Sequence, residues 1–233
     1  MCKKALYQLL TEKPYPMHQI MDVESIDWLK DNLKVKSVNI KSVLPNYEKF
    51  PLADVDFNAG YFTENNGRGI HGIRHQFRVS LYVWILIQMF QIPMEHNDIA
   101  PLLQVCLYHD IMRENDNSDE NHGDNSAKWI ADKYPKIDKR FIDAVKFHNQ
   151  EVDWQNKTTY IKILKEADAL DRFRLPKTKW WIRQELLDYK ISDENLMIFK
   201  YITYCTEKVA YNCTTADEMK GKMLIWLEEK QII

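Results

Sequence analysis

The sequence predicts an all-α fold, and three observations carry that prediction. From Arg74 onward apolar residues recur three and four positions apart almost without interruption, the period of helices with one buried face. Only 6 glycines occur in 233 residues, and tight-turn dipeptides are few, so hairpins would lack the turns they need. The chain is 45% apolar and 28% charged, the balance of a globular protein that buries a core. Its length suits one domain of generous size better than two small ones.

Taken in order, "MDVESIDWLKDNL" (Met21–Leu33) reads as a helix. Lys34–Phe62, with Pro45, Pro51, Asn58 and Gly60, reads as irregular, with room for a short strand at Val38–Val43. "TENNGRG" (Thr63–Gly69) has loop composition. The chain divides most naturally here: residues 1–68 form an extension packed on or beside the core, and residues 69–233 form the helical domain. "VSLYVWILIQMFQI" (Val79–Ile92) is the most apolar window. It is shorter than the roughly 18 residues of a membrane span and carries Ser80, Gln88 and Gln91, so it reads as a buried helix. Asn97 or Asp98 can cap a helix running through Asp110. Further helices are expected at about Ser126–Lys133, Asp138–His148, Thr158–Arg172, Lys179–Tyr189 and Asp193–Tyr211. The last begins at Thr215, with Glu218 reaching back to form a capping box.

Composition also excludes functions. A net charge of −2 supplies no field to draw the protein onto DNA or an anionic membrane. Cys2, Cys106, Cys205 and Cys213 form no CxxC pair, which argues against a zinc ribbon or disulfide scaffold and for a reducing, cytoplasmic setting. The apolar run near the N-terminus is too short for a signal peptide.

Chemistry concentrates in "LYHDIMRENDNSDENHG" (Leu107–Gly123). His109 and Asp110 follow an apolar helix, and a divalent cation accepts imidazole nitrogen together with carboxylate oxygen. The dipeptide alone is weak evidence, since it more often marks an ordinary polar helix end. Other helices supply the rest: His75 opens the most apolar one, His148 ends another, and Asp168 lies among Ile161, Leu164, Ala167 and Leu170. A carboxylate in such a stripe is costly unless paired or bound to a metal. Arg113, four after His109 and three after Asp110, shares their face if the helix continues; it could hold phosphate or simply meet the helix dipole. Lys165, three before Asp168, could touch phosphate or a surface carboxylate. Glu114, Asp116 and Asp119 are either supports for ligand histidines or solvated loop acids.

Other features carry less. His71 falls at a helix entry, near the site but outside the ligand set. "DNSDENHGD" lacks the glycine an EF-hand needs at its sixth position. Cys106 reads as a small buried residue, and His18 and His96 as surface residues. In "KTKWWIRQELL", paired tryptophans more often pack a core than stack on a ligand, although Trp180 or Arg183 could line a substrate mouth.

The blocks "IHGIRHQFRV", "HDIMREND", "NHGDNSA", "KFHN" and "LKEADALDRFRLP", in this order, resemble the HD superfamily of metal-dependent phosphohydrolases, over about Ile70 to Pro176. The last block departs from the family pattern after its arginine, which bears on packing near Arg174. The resemblance implies an HD-type helical bundle in which His75, His109, Asp110 and Asp168 bind one ion. His122 and His148 match the positions that hold a second ion, with Asp110 bridging; in a one-ion enzyme they would face substrate phosphate instead. The implied cofactor is one or two ions of Mn, Fe, Ni, Co, Mg or Zn. The implied reaction is hydrolysis of a phosphate monoester or phosphodiester of a small nucleotide or related metabolite by a metal-activated water, with Asp110, Arg113 and Lys165 at the reacting phosphate. Two other readings stay open: a non-catalytic binding or regulatory module, and a nuclease acting on single strands, against which the charge balance weighs.

Overall fold

The structure, a computed structural model, describes residues 28, 31, 40, 44, 47–62, 67, 69–113, 119–153, 157–210 and 213–233. Among these residues the regular structure is helical, with no strand. Seven helices follow one another: α1 (Ile73–Met89), α2 (His96–Leu107), α3 (His122–Lys133), α4 (Lys139–Phe147), α5 (Thr159–Leu170), α6 (Asp193–Ala210) and α7 (Ala216–Glu229). No helix among them is long and apolar enough to cross a membrane.

α1 is the axis of the molecule. It is buried from Ile73 through Ile87, and a helix buried all round belongs at the centre of a bundle. It packs against α2, α5, α6 and α7, while α3 pairs with α4 and α4 leans on α2 and α5. Two buried hydroxyls on it find partners: Ser80 Oγ donates to the Leu103 carbonyl at 2.9 Å, and Tyr82 OH to that of Phe199 at 3.0 Å. Residues 47–62 enter the same core despite their irregular composition. Phe57 stacks on Phe77 with ring centroids 4.8 Å apart, and Phe50 meets the same ring edge-on at 5.8 Å. Asp56 is clamped through its backbone, its N–H donating to Gln104 Oε1 at 2.6 Å and its carbonyl accepting from Tyr108 OH at 2.6 Å.

Helix ends follow local chemistry. Asp138 caps α4 by accepting from Arg140 N at 2.8 Å, and Thr158 caps α5 by accepting from Ile161 N at 3.3 Å. Thr215 accepts from Glu218 N at 3.2 Å, while the Glu218 carboxylate accepts from Thr214 N at 2.8 Å, one residue before the cap. α3 starts one turn before the expected Ser126.

Three expectations fail. α2 is capped by neither Asn97 nor Asp98; it follows Glu95, and Asp98 instead accepts from the Arg140 guanidinium and from Tyr160 OH. A carboxylate within reach of a guanidinium gains charge-assisted bonds stronger than a cap. α2 also ends at Leu107 rather than Asp110, and tight turns take over, with Ile111 N donating to Tyr108 O and Arg113 N to Asp110 O. Third, Lys179–Tyr189 is not a helix: a single turn at Lys177–Trp180 gives way to extended chain and a 3-10 turn at Gln184–Leu186. The buried Glu166 carboxylate takes the N–H groups of Asp188 and Tyr189 at 2.9 and 3.1 Å, so tertiary partners replace the helical ladder.

The expected helix Met21–Leu33 lies outside the described residues except for Trp28 and Asp31, both helical. So does the expected strand Val38–Val43, apart from Ile40, which is buried. Most of the loop Thr63–Gly69 also lies outside them.

Candidate metal centre

Each candidate ligand sits at a helix end or on a helix face turned to one point. His75 lies in the first turn of α1, His122 opens α3, His148 ends α4, and Asp168 is on α5. The turns after α2 deliver His109 and Asp110 together. Within one group, His75 Nε2 lies 3.5 Å from Asp110 Oδ2 and 3.3 Å from Asp168 Oδ1. His109 Nε2 lies 3.8 and 3.9 Å from the same two oxygens. The other Asp110 oxygen, Oδ1, is 3.2 Å from both His122 Nε2 and His148 Nε2. One carboxylate therefore faces two donor groups, one with each oxygen.

The orientation of the rings explains why Nε2 is the atom offered in every case. His75 Nδ1 donates to Asp171 Oδ2 at 2.7 Å. His109 Nδ1 donates to the Cys106 carbonyl at 2.8 Å and His148 Nδ1 to that of Val145 at 2.6 Å. His122 Nδ1 meets the Asp119 carbonyl. Anchoring one ring nitrogen fixes the tautomer and aims the other.

A cation fits this arrangement. Among the described residues, three buried side-chain atoms have no hydrogen-bond partner, His75 Nε2, His109 Nε2 and Asp110 Oδ1, and all three belong to this cluster. Unsatisfied buried polar atoms are rare and demand a reason. Two donor triads, His75–His109–Asp110 and Asp110–His122–His148, each keep their ligating atoms within 4.8 Å of one another. An octahedral ion with bonds of about 2.1 Å separates neighbouring donors by about 3.0 Å, close to the spacing here.

Charge points the same way. Burial acts to raise the Asp110 carboxyl, but the imidazoles of His109, His148 and His75 outweigh it and hold the group well below the usual carboxylate range. His109 and His75 do the same for Asp168. Burial pushes the His109 and His122 imidazoles down, toward the neutral form that binds metals. Burial and Arg174 oppose protonation of His75, yet Asp110, Asp168 and Asp171 prevail and lift it to about 9. Both carboxylates therefore stay charged beside the imidazole nitrogens, which suits the cluster to a cation.

The cluster opens into a cleft of about 790 Å³. Arg113 lies along it, NH1 3.9 Å from Asp110 Oδ2 and 3.2 Å from each ring nitrogen of His122. Lys165 lines the cleft and donates to the Gln150 carbonyl; burial lowers its pKa. His71 also lines it, its ring 5.5 Å from that of His75. Asp119 supports His122 through its backbone carbonyl, not its carboxylate, whereas Glu114 and Asp116 lie outside the described residues, as does His18. His96 is exposed at the start of α2, and Cys106 is buried. Trp180 lines the cleft, but Trp181 packs edge-on against Phe173 with centroids 5.1 Å apart. Arg183 is exposed and pairs with Glu185 at 3.6 Å.

Sequence reasoning missed Asp171. This fully buried carboxylate joins His75 to Arg78, whose Nε donates to Asp171 Oδ1 at 2.5 Å. Arg78 continues to Glu207 Oε1 at 2.8 Å, and Arg74 holds the other Glu207 oxygen at 2.5 Å. The available signal was the spacing in "DALDR", which puts a second acid one turn beyond Asp168. Gln76, whose Oε1 accepts from Asp110 N at 3.3 Å, left no comparable sign. The helical structure with its buried His/Asp groups fits an HD-like fold. Comparison with protein families, with curated proteins and with solved structures returned no match for this chain.

Proposed function

We propose that the protein is an HD-superfamily phosphohydrolase that uses one or two divalent cations to hydrolyse a phosphate monoester or phosphodiester of a small nucleotide or related metabolite. The observation that carries this reading is the set of three unsatisfied buried atoms on His75, His109 and Asp110, at the point where the side chains of Asp168, His122 and His148 also converge. A buried polar cluster without an occupant is destabilising, and a binding module has no need of six such ligands. His75, His109, Asp110 and Asp168 would hold a first cation, and His122 and His148 together with Asp110 would hold a second.

When bound, such ions lower the pKa of a water nucleophile and neutralise phosphate oxygens. The chain's own residues do the positioning. Arg113, close to both ring nitrogens of His122 and near Asp110, holds a phosphate oxygen and counters charge developing on it. Lys165 approaches phosphate from the α5 side of the cleft. Asp171 keeps His75 oriented from behind.

The test joins elemental analysis of the untreated protein to a panel of phosphate monoesters and diesters, assayed with manganese, iron, nickel, cobalt, magnesium and zinc in turn. The expected result is retained metal and ion-dependent release of phosphate or phosphomonoester. Asp110→Ala is expected to lose both ion content and turnover, by at least about a thousandfold, while keeping its helical circular dichroism. An Asp110→Ala protein with full ion-dependent activity, or a wild type that is metal-loaded yet inert across the panel, overturns the reading.

A further inference from the structure

The cleft has lining of two chemical kinds. Arg113 and Lys165 join Asp110, His122, His148 and Asp168 there, and the stretch between α5 and α6 adds an apolar wall of Trp180, Ile182, Leu186 and Leu187. Four large apolar side chains among the described residues are exposed: Met112 at 41%, Trp180 at 43%, Leu186 at 59% and Ile225 at 56%. Two of those four, Trp180 and Leu186, stand on this one wall. Apolar surface gathered inside a concave site marks contact with a ligand rather than chance exposure.

The wall is built, not a frayed remnant of the core. Trp181 turns inward, its Nε1 donating to the Leu175 carbonyl at 2.9 Å, which leaves its neighbour Trp180 on the cleft. The far end is latched by Glu166, which accepts from the N–H groups of Asp188 and Tyr189. Lys157 adds an ion pair to Asp188. Glu166 and Asp168 lie on the same helix, α5, so the apolar wall and the ion site share one mount. A cleft of about 790 Å³ is also far larger than a lone phosphate needs and matches pockets that enclose whole small molecules, about 300–1,000 Å³.

We propose that this wall binds an aromatic or similarly flat, apolar group carried by the substrate, so that the substrate class is an organic phosphate with such a group at its other end, to the exclusion of glycerol phosphate, simple sugar phosphates and inorganic pyrophosphate. The inference rests on the phosphohydrolase reading. Trp180 offers a ring face for stacking and Leu186 an aliphatic edge, which makes them specificity-determining residues distinct from the ion ligands.

The test uses the full chain loaded with manganese and titrated calorimetrically with phenylphosphonate and methylphosphonate, two non-hydrolysable compounds with the same charged head. The wild type is expected to bind the phenyl compound at least about tenfold more tightly, from burial of the ring. Combined Trp180→Ala and Leu186→Ala is expected to collapse that preference to within about twofold. Trp180→Phe keeps most of it, and Ile225→Ala, an exposed apolar position on α7 away from the cleft, leaves it intact. Equal affinity for the two compounds, or a preference that survives the double substitution, overturns this inference while the proposed activity stands. A protein that retains none of the six cations, or that binds neither phosphonate when loaded with any of them, overturns the phosphohydrolase reading and this inference with it.

Discussion

At the scale of single residues, the site depends on what holds each ring from behind. Three of the four histidines are anchored by backbone carbonyls, but His75 is anchored by the Asp171 carboxylate. An anionic acceptor makes the imidazole a stronger donor toward a cation. Asp171→Asn is therefore expected to weaken manganese binding about 10- to 100-fold, read by competition with a fluorescent chelator, with His109 and His148 anchors intact. Unchanged affinity with a lowered melting temperature would reduce Asp171 to a structural partner of Arg78. The residues that converge at the candidate site were legible in the chain because imidazoles and carboxylates stand in short, separated blocks at helix ends. Asp171 was not, because its role exists only once the turn after α5 meets α1. Nor was the support of His122 by Asp119, which acts through a backbone carbonyl that every residue possesses.

At the scale of elements, the approach of α3 to α4 sets the second donor group. A Cβ on Gly123 would fall 2.6 Å from Asn149 Oδ1, 2.8 Å from the Lys146 carbonyl and 3.2 Å from that of Val145. The two carbonyls belong to helix backbone and cannot swing aside. Gly123→Ala should thus push the helices apart, separating His122 Nε2 from His148 Nε2, which lie 3.2 Å apart. The expected cost is about 1–3 kcal/mol of stability, with metal stoichiometry falling because the Asp110–His122–His148 side opens; wild-type stoichiometry and melting temperature would sink this account. The glycine was visible in "NHGD", but nothing local reveals which helix it touches. The stretch Lys179–Tyr189 shows the reverse failure. Its residues favour a helix, and the distant Glu166 pulls its N–H groups out of that pattern.

At the scale of the whole molecule, helical periodicity made the fold class legible, and the long apolar window correctly marked the central helix. It could not show that residues 47–62, an irregular stretch carrying Pro51, Asn58 and Gly60, would bury Phe50 and Phe57 against Phe77. Global stability carries a pH signature from Glu166. Burial raises its carboxyl from 4.5 to about 7, against the pull of the Asp188 and Tyr189 N–H groups. A carboxyl raised on folding favours the native state fully below about 4.5, and that contribution fades as pH climbs through about 7. Wild type should therefore lose about 1–3 kcal/mol relative to Glu166→Gln between these limits, measured by denaturant unfolding at matched ionic strength; parallel pH profiles for the two proteins would refute the assignment. A last consequence follows from the four tethered Nδ1 atoms. The cost of ordering the rings, about 0.5–1.5 kcal/mol per side chain, falls on folding rather than on ion capture. A cation arriving at such a site would meet a rigid receptacle, and choice among metals would then turn on ionic radius and ease of dehydration rather than on any rearrangement of the polypeptide.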